Sequence, residues 1–346
     1  MERNAFAPSA RALDRTPATR RWSRFRRVLV AALAGALVLF GGLSCARARR
    51  MPSPRPPSAP APAPVPTPTP GPVPNPVPTP APARAEEAPV DYSPLQKQIA
   101  DYLATKQGTY GVFFKDLPSG RSFGINDTVP IPAASTVKVP IVLYINQLAA
   151  EGKLDWNEKV VYSSQTDYRE GAGILHMVAT DGDKYSIRVL SNLAITVSDN
   201  VATAILIRRL GLERINDFMR SIGGKTVYPE GQNITTAADM GTYVQAVLDF
   251  APKRPDLGGR LLDDLAHTVY NVGLPGQLPP NTVVPHKEGD LPDMAGDIGV
   301  VYSSRPYILV VLAKDISNPD RVFAEDIART SKMAYDFQEH LAAGQR

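Results

Sequence analysis

The amino-acid sequence predicts an α/β (α+β) domain: a mostly antiparallel five-stranded sheet carrying terminal helices, with an all-helical lobe inserted into it. Three observations lead there. Two strand-like runs are separated by a tight turn, a long stretch of helical patterning follows, and three further strand-like runs stand ahead of a final helix. Consecutive strands joined by short turns pair antiparallel, because a parallel pair needs a long crossover. The cleft between sheet and lobe is then the natural place for a site.

Taken in order, Ser93-Pro94-Leu95 followed by Ile99, Tyr102 and Leu103 reads as a capped amphipathic helix with proline in its first turn. Thr109–Leu117 and Arg121–Ile125 read as strands, and Pro118-Ser119-Gly120 between them makes a hairpin. Helical patterning runs from about Ser135 to Phe250. Strand signals return at Thr282–His286, Ile298–Tyr302 and Tyr307–Ala313, and the last helix extends from about Pro319 to Leu341.

The 346 residues do not all belong to this domain. About ninety at the start lack a core-forming pattern, which leaves roughly 255 for one large domain with a real core. A hydrophobic fraction of 43% and a charged fraction of 21% are ordinary for a globular protein. The net charge of +4 resides in the leader, where Arg11, Arg15, Arg20, Arg21, Arg24, Arg26 and Arg27 crowd together. It therefore does not signal nucleic-acid binding by the folded part.

Residues 1–50 are expected to be an export signal or membrane anchor. Val28–Leu43 is an apolar run behind Arg26-Arg27, the layout of a signal peptide, and is near the lower length limit for a membrane span. In one outcome the chain is cut after Leu43-Ser44 and Cys45, the single cysteine, is lipidated, although Gly42 stands where a lipobox carries leucine. In the other the segment stays as an uncleaved anchor. Residues 51–90 form a spacer: from Pro52 to Pro82 proline recurs at almost every second position, which imposes an extended polyproline conformation reaching roughly 95 Å. The folded domain, 91–346, is thus expected outside the cytoplasm, tethered to the outer face of the cytoplasmic membrane or periplasmic, and monomeric. With one cysteine in the leader and four scattered histidines, no intramolecular disulfide, metal site or cofactor is expected.

Three short motifs carry the chemistry. Ser135-Thr136-Val137-Lys138 opens an apolar helical run, so serine and lysine share one face about a turn apart. A free hydroxyl is a poor nucleophile, but a partly desolvated lysine can accept its proton, and a helix N-terminus favours the alkoxide. Ser198-Asp199-Asn200 precedes a helix and, taken alone, is an ordinary N-cap or Asx-turn. Lys287-Glu288-Gly289 follows a strand, and its glycine lets a substrate approach the strand edge.

Together and in this order, S-x-x-K, S-D-N and K-x-G resemble the signatures of class A β-lactamases and penicillin-binding proteins. The contexts P-A-A-S-T-V-K-V-P, L-A-I-T-V-S-D-N-V-A-T-A-I-L-I and H-K-E-G-D followed by G-D-I-G-V-V-Y are similar to class A enzymes, and the resemblance extends from about Pro94 to Leu341. It implies a β-lactamase/transpeptidase-like fold and a serine hydrolase in which Ser135 attacks the carbonyl of a β-lactam or a peptidoglycan stem peptide. It further implies that Lys138 is the base, Ser198 relays a proton in contact with Lys287, Asn200 binds the acyl side-chain amide and Lys287 attracts the substrate carboxylate. The backbone N–H groups of Ser135 and of Asp290, beyond Gly289, would form the oxyanion hole.

Two departures from the family's pattern bear on function. The E-x-x-L-N segment, whose glutamate positions the deacylating water in class A enzymes, does not occur. Glu230 and Glu170 are the candidates to stand in for it. The second departure is Glu288 in place of the usual hydroxyl residue, a like charge toward an anionic substrate unless it is protonated, turned away or paired with Lys287. Slow deacylation is therefore expected. The alternatives are a D-Ala-D-Ala carboxypeptidase or transpeptidase, and a non-catalytic penicillin- or cell-wall-binding sensor domain.

Overall fold

Residues 90–344 are described by the structure, a computed structural model. The leader, Cys45 and the proline-rich spacer lie outside the described residues. The first helix, α1 (Ser93–Leu103), buries Leu95, Ile99 and Leu103, one per turn. Its N-cap residue is Tyr92, whose side chain does not cap it; Asp91, one residue earlier, accepts from the Ser93 N–H at 2.9 Å, and Ser93 is the first helical residue. The strands β1 (Thr109–Asp116) and β2 (Ser122–Ile125) form the expected hairpin.

The helical region comprises α2 (Lys138–Ala150), α3 (Ile187–Thr196), α4 (Asn200–Leu210), α5 (Leu212–Ser221), α6 (Ala237–Phe250) and α7 (Pro255–Ala266). Two small antiparallel ribbons interrupt it, Ile131–Pro132 with Ile234–Thr235 and Lys159–Val161 with Lys184–Ser186; their short strands carry too little periodicity to be read from sequence. The chain returns to the sheet through β3 (His286–Leu291), β4 (Met294–Val301) and β5 (Tyr307–Lys314). It closes with Pro319–Arg321, a π-helical turn at Val322–Ile327 and α8 (Ala328–Gly344).

The sheet has five strands in the order β2-β1-β5-β4-β3, with every pairing antiparallel. Because side chains alternate across a strand, β5 feeds two cores. Ile308, Val310 and Leu312 face the helical lobe, whereas Tyr307, Leu309, Val311 and Ala313 face α1 and the C-terminal helix. Burial on both faces explains why β5 is apolar throughout. A buried ion pair fastens one end of the sheet: Arg305 donates to both Asp116 oxygens at 2.9 and 2.7 Å, and Gln338 of α8 donates to Asp116 at 2.9 Å.

One strand boundary differs from the sequence expectation in a way that matters. The third strand begins at His286, where it was expected to end, so Lys287-Glu288-Gly289 lies within β3; upstream, Val283 makes only an isolated bridge to Tyr302. Lys, Glu and Gly are poor strand formers, and pairing with the apolar β4 overrides their local preference. Register then assigns faces. Lys287 pairs with Ile298 and Gly289 with Gly296, on the face that carries the lobe-side residues, while His286, Glu288 and Asp290 pair with Gly299, Asp297 and Ala295. A slip of one residue would exchange Lys287 for Glu288 at the cleft.

Candidate active site

Ser135 sits in a single 3-10 turn, Ala134–Val137, that leads into α2 at Lys138, so the nucleophile motif opens the helix one turn earlier than an α-helical N-cap would. The residue before it, Ala134, holds a left-handed conformation (φ 45°) that costs an L-residue of order 1 kcal/mol or more. The Ser135 hydroxyl is half-buried and forms no hydrogen bond to protein among the described residues. Edge strand β3 presses directly on this turn. A Cβ at Gly289 would lie 2.7 Å from the Ser135 amide nitrogen and 3.0 Å from that of Thr136, so only glycine admits the approach.

Ser198 occupies the sharp corner between α3 and α4, again left-handed at φ 55°. That geometry turns its hydroxyl into the cleft floor, where two lysines meet it. Lys138 Nζ donates to Ser198 Oγ at 3.1 Å, to the Ser198 carbonyl at 2.7 Å and to Asn200 Oδ1 at 2.8 Å. Lys287 Nζ donates to the same Ser198 Oγ at 3.0 Å. Both lysines are buried, Lys138 at 4% exposure and Lys287 at 0%. Burial disfavours their charged forms, and the neighbouring Lys287 adds to the effect on Lys138, whose pKa falls from 10.5 to about 7.

Glu288 is paired with Lys287: Nζ donates to Glu288 Oε1 and, at 3.0 Å, to the Glu288 carbonyl. Burial raises the Glu288 carboxyl and lowers Lys287, each partner's charge opposing the shift of the other. The like-charge conflict of the sequence reading is thus met locally by the adjacent lysine. On the same strand face His286 Nδ1 contacts Asp297 at 2.9 Å; burial opposes charge on the imidazole, but the Asp297 carboxylate outweighs it and raises the pKa. This pair lies beneath the strand that carries Lys287.

Asp199, the middle residue of S-D-N, is fully buried and does structural work. One carboxylate oxygen caps α4 through the Ala202 N–H at 2.8 Å; the other accepts from Ile174 N and Leu175 N at 2.7 and 2.9 Å. It thereby fastens the 170–175 loop to the site. Asn200 completes the link, donating from Nδ2 to the Glu170 carbonyl at 2.9 Å. Asn200, which the resemblance assigns to the substrate's acyl side-chain amide, lines the cleft and also bridges Lys138 and the cleft rim.

A cleft of about 600 Å³ is lined by Ser135, Lys138, Asn200, Glu170, Tyr228 and Asp290, with Ser198 and Lys287 buried behind its wall. Of the two candidate deacylation bases, Glu170 lines the cleft, and its backbone carbonyl is what the site uses. Glu230 is exposed at φ 53° and does not line it. The 226–233 loop contributes Tyr228 and Asn233 instead. Burial pushes the Tyr228 phenol up to about 12. Asn233 donates to the Ala134 carbonyl at 3.0 Å, and its Oδ1 is buried without a partner. Neither residue carried a signal in the sequence, since the loop's length and turns decide which side chains reach the cleft. No group of three or more metal-ligating side chains occurs among the described residues.

The profile of a family described as "Beta-lactamase enzyme family" matches residues 94–338. The β-lactamase SME-1 of Serratia marcescens is 33% identical over 137 residues, 37% of this chain and 43% of that protein, so the chain spans less than half the length of this curated relative. Among solved structures, one titled "Structure of PBP-A" superposes with a TM-score of 0.67 at 30% identity, covering 72% of this chain and 97% of that one. A mutant of PBP-A, whose title describes an acyl-enzyme complex with penicillin G, gives the same TM-score at 29% identity over the same shares.

Proposed function

The chain belongs to the beta-lactamase enzyme family, and on that premise we propose that it is a serine hydrolase that opens β-lactams through an acyl-enzyme on Ser135 and releases the product slowly. One observation carries the reading: Ser198 Oγ is shared by Lys138 and Lys287 at 3.1 and 3.0 Å, a continuous polar path beside the unencumbered Ser135 hydroxyl. Neutral Lys138 takes the Ser135 proton as the Oγ–C bond forms. The carbonyl electron pair moves onto an oxygen held by the N–H groups of Ser135 and Asp290, and loss of one such donor costs about 3 kcal/mol. The pair returns, the lactam C–N bond breaks, and the proton passes through Ser198 to the departing nitrogen.

The second half-reaction needs a water and a base to take its proton. Tyr228 in the cleft wall, its phenol pushed up to about 12, keeps its proton near neutral pH and offers no base there, which leaves Glu170 at the rim as the carboxylate to test. The PBP-A mutant recorded as a penicillin G acyl-enzyme supports a stable adduct on this fold. The test is intact-mass spectrometry after benzylpenicillin, followed over hours. A long-lived single adduct that Ser135→Ala abolishes is expected. Fast steady-state hydrolysis of a chromogenic cephalosporin, lost in Ser135→Ala but kept in both Glu230→Gln and Glu170→Gln, would overturn slow release.

A second reading, a D-Ala-D-Ala carboxypeptidase or transpeptidase, draws support from the long proline-rich spacer, which suits work at the cell wall. Release of D-alanine from a stem-peptide mimic separates the two. We place the domain outside the cytoplasmic membrane on the strength of the apolar segment Val28–Leu43 and the proline-rich spacer. Radiolabelled palmitate incorporation lost in Cys45→Ala would assign the lipidated form.

A further inference from the structure

Around the free edge of β3, beside the catalytic cleft, lies a separate pocket of about 300 Å³. It is lined by Tyr270, Val272, Gly273, Glu288, Asp290, Asp320 and Phe323. Asp290 belongs to both walls, so the two spaces adjoin. The pocket carries three carboxylates and no cation in its lining. Asp290 and Asp320 are exposed, and their carboxylates make no hydrogen bond or close ion pair among the described residues, although the charge of Asp290 is felt at Lys138 and Lys287.

Glu288 supplies the independent sign of a ligand. It is 7% exposed, one carboxylate oxygen is held by Lys287, and the other, Oε2, is buried with no partner. A buried carboxylate oxygen left unpaired is costly, and because Glu288 lines the pocket, a donor seated there would relieve that cost once the carboxyl turns to meet it. The aromatic rings of Tyr270 and Phe323 favour the same kind of guest, since a ring face attracts a cation.

We propose that this pocket is a cation-binding subsite, taking the alkylammonium or guanidinium arm of a substrate whose scissile amide lies at Ser135. The inference rests on the Ser135 hydrolase reading for its link to catalysis. Glu288 occupies the position where the family pattern holds a substrate carboxylate, and here the pocket side of β3 favours positive charge. Lys287 and Gly289 face the nucleophile while Glu288 and Asp290 lie on the alternate strand face, so a substrate along the β3 edge meets both. Preferred substrates are therefore amides or lactams with a basic arm near the leaving nitrogen.

Two measurements test this, one independent of catalysis. Benzylamine, an unreactive cation, is titrated into the protein and followed by tyrosine fluorescence or NMR shifts. Binding is expected to weaken about tenfold in Glu288→Gln and severalfold in Asp320→Asn, with phenylacetate not binding. Asp320 is an exposed surface residue, so its variant keeps the test open if Glu288→Gln misfolds. Absent benzylamine binding, or binding that neither substitution weakens, overturns the subsite. The second measurement compares Ser135 acylation by benzylpenicillin with that by its 2-aminoethyl amide. The cationic amide is expected to react faster, and the preference is expected to fall or invert in both variants. A wild-type preference for benzylpenicillin overturns the substrate assignment. If neither compound acylates Ser135, the hydrolase reading fails, and the benzylamine titration alone judges the pocket.

Discussion

Replacing Lys287 by methionine is expected to move the pH at which Ser135 becomes reactive. Lys138 can act as a base only when neutral. At a pKa of about 7, roughly half of it is neutral at pH 7, whereas a lysine at the ordinary 10.5 is neutral in roughly 0.03% of molecules. The fold thus raises the competent fraction on the order of a thousandfold. Burial is the larger cause and the charge of Lys287 the next. Lys287→Met removes that charge, which lets the Lys138 pKa rise. It also lets the buried Glu288 take up a proton, which gives back part of the rise, but the Lys287 effect on Lys138 is the larger of the two. Each unit of increase lowers the neutral fraction about tenfold on the acid side.

The assay is the second-order rate constant for acylation by a fluorescent penicillin between roughly pH 5.5 and 9.5. The wild-type rate is expected to climb and level off above about pH 7, matching the Lys138 value, and the variant to keep climbing well past it. Loss of substrate attraction lowers the height of the curve, so the midpoint is the quantity to read. A flat wild-type profile, or a midpoint that stays put in Lys287→Met, would refute Lys138 as the base.

Four further outcomes are expected. Gly289→Ala forces β3 off the nucleophile turn, because its Cβ would sit 2.7 Å from Ser135 N; acylation should fall about a hundredfold while urea unfolding still shows a folded protein. Asp199→Ala leaves the α4 cap and the Ile174 and Leu175 amides unpaired and should cost about 3 kcal/mol in urea denaturation, with Asp199→Asn recovering part. Asp116→Ala removes the buried carboxylate that Arg305 and Gln338 share and should destabilise by about 3 kcal/mol, without altering the pH midpoint of acylation. Glu230→Gln should leave the lifetime of the penicilloyl adduct unchanged within twofold, since the residue stands exposed outside the cleft; a shortened or lengthened lifetime would place it in the second half-reaction.

Much of the architecture was legible. The five strands were found in order because aromatic and β-branched runs punctuated by turns leave a local imprint, and β1, β2 and β5 matched within about a residue. The two-residue and three-residue ribbons of the lobe left none. The start of β3 was misplaced because its central residues, Lys287, Glu288 and Gly289, read locally as a strand end. Only the apolar partner β4 makes them a strand.

The motifs themselves named Ser135, Lys138, Ser198, Asn200 and Lys287, because the chemistry of a lysine-activated serine demands those side chains and each recurs in a recognisable short context. What each does with its neighbours was not written there. Asp199 as a buried tie, Asn200 as a bridge from Lys138 to the Glu170 carbonyl, and Tyr228 in the cleft wall all depend on loops meeting from distant parts of the chain. By itself the sequence determined the fold class, the candidate nucleophile and the missing glutamate motif, since these rest on side-chain identity and local periodicity. Only the tertiary structure decided that Glu288 pairs with Lys287 yet keeps one buried oxygen without a partner beside a second pocket, because strand register and burial are properties of packing, which no short window of residues contains.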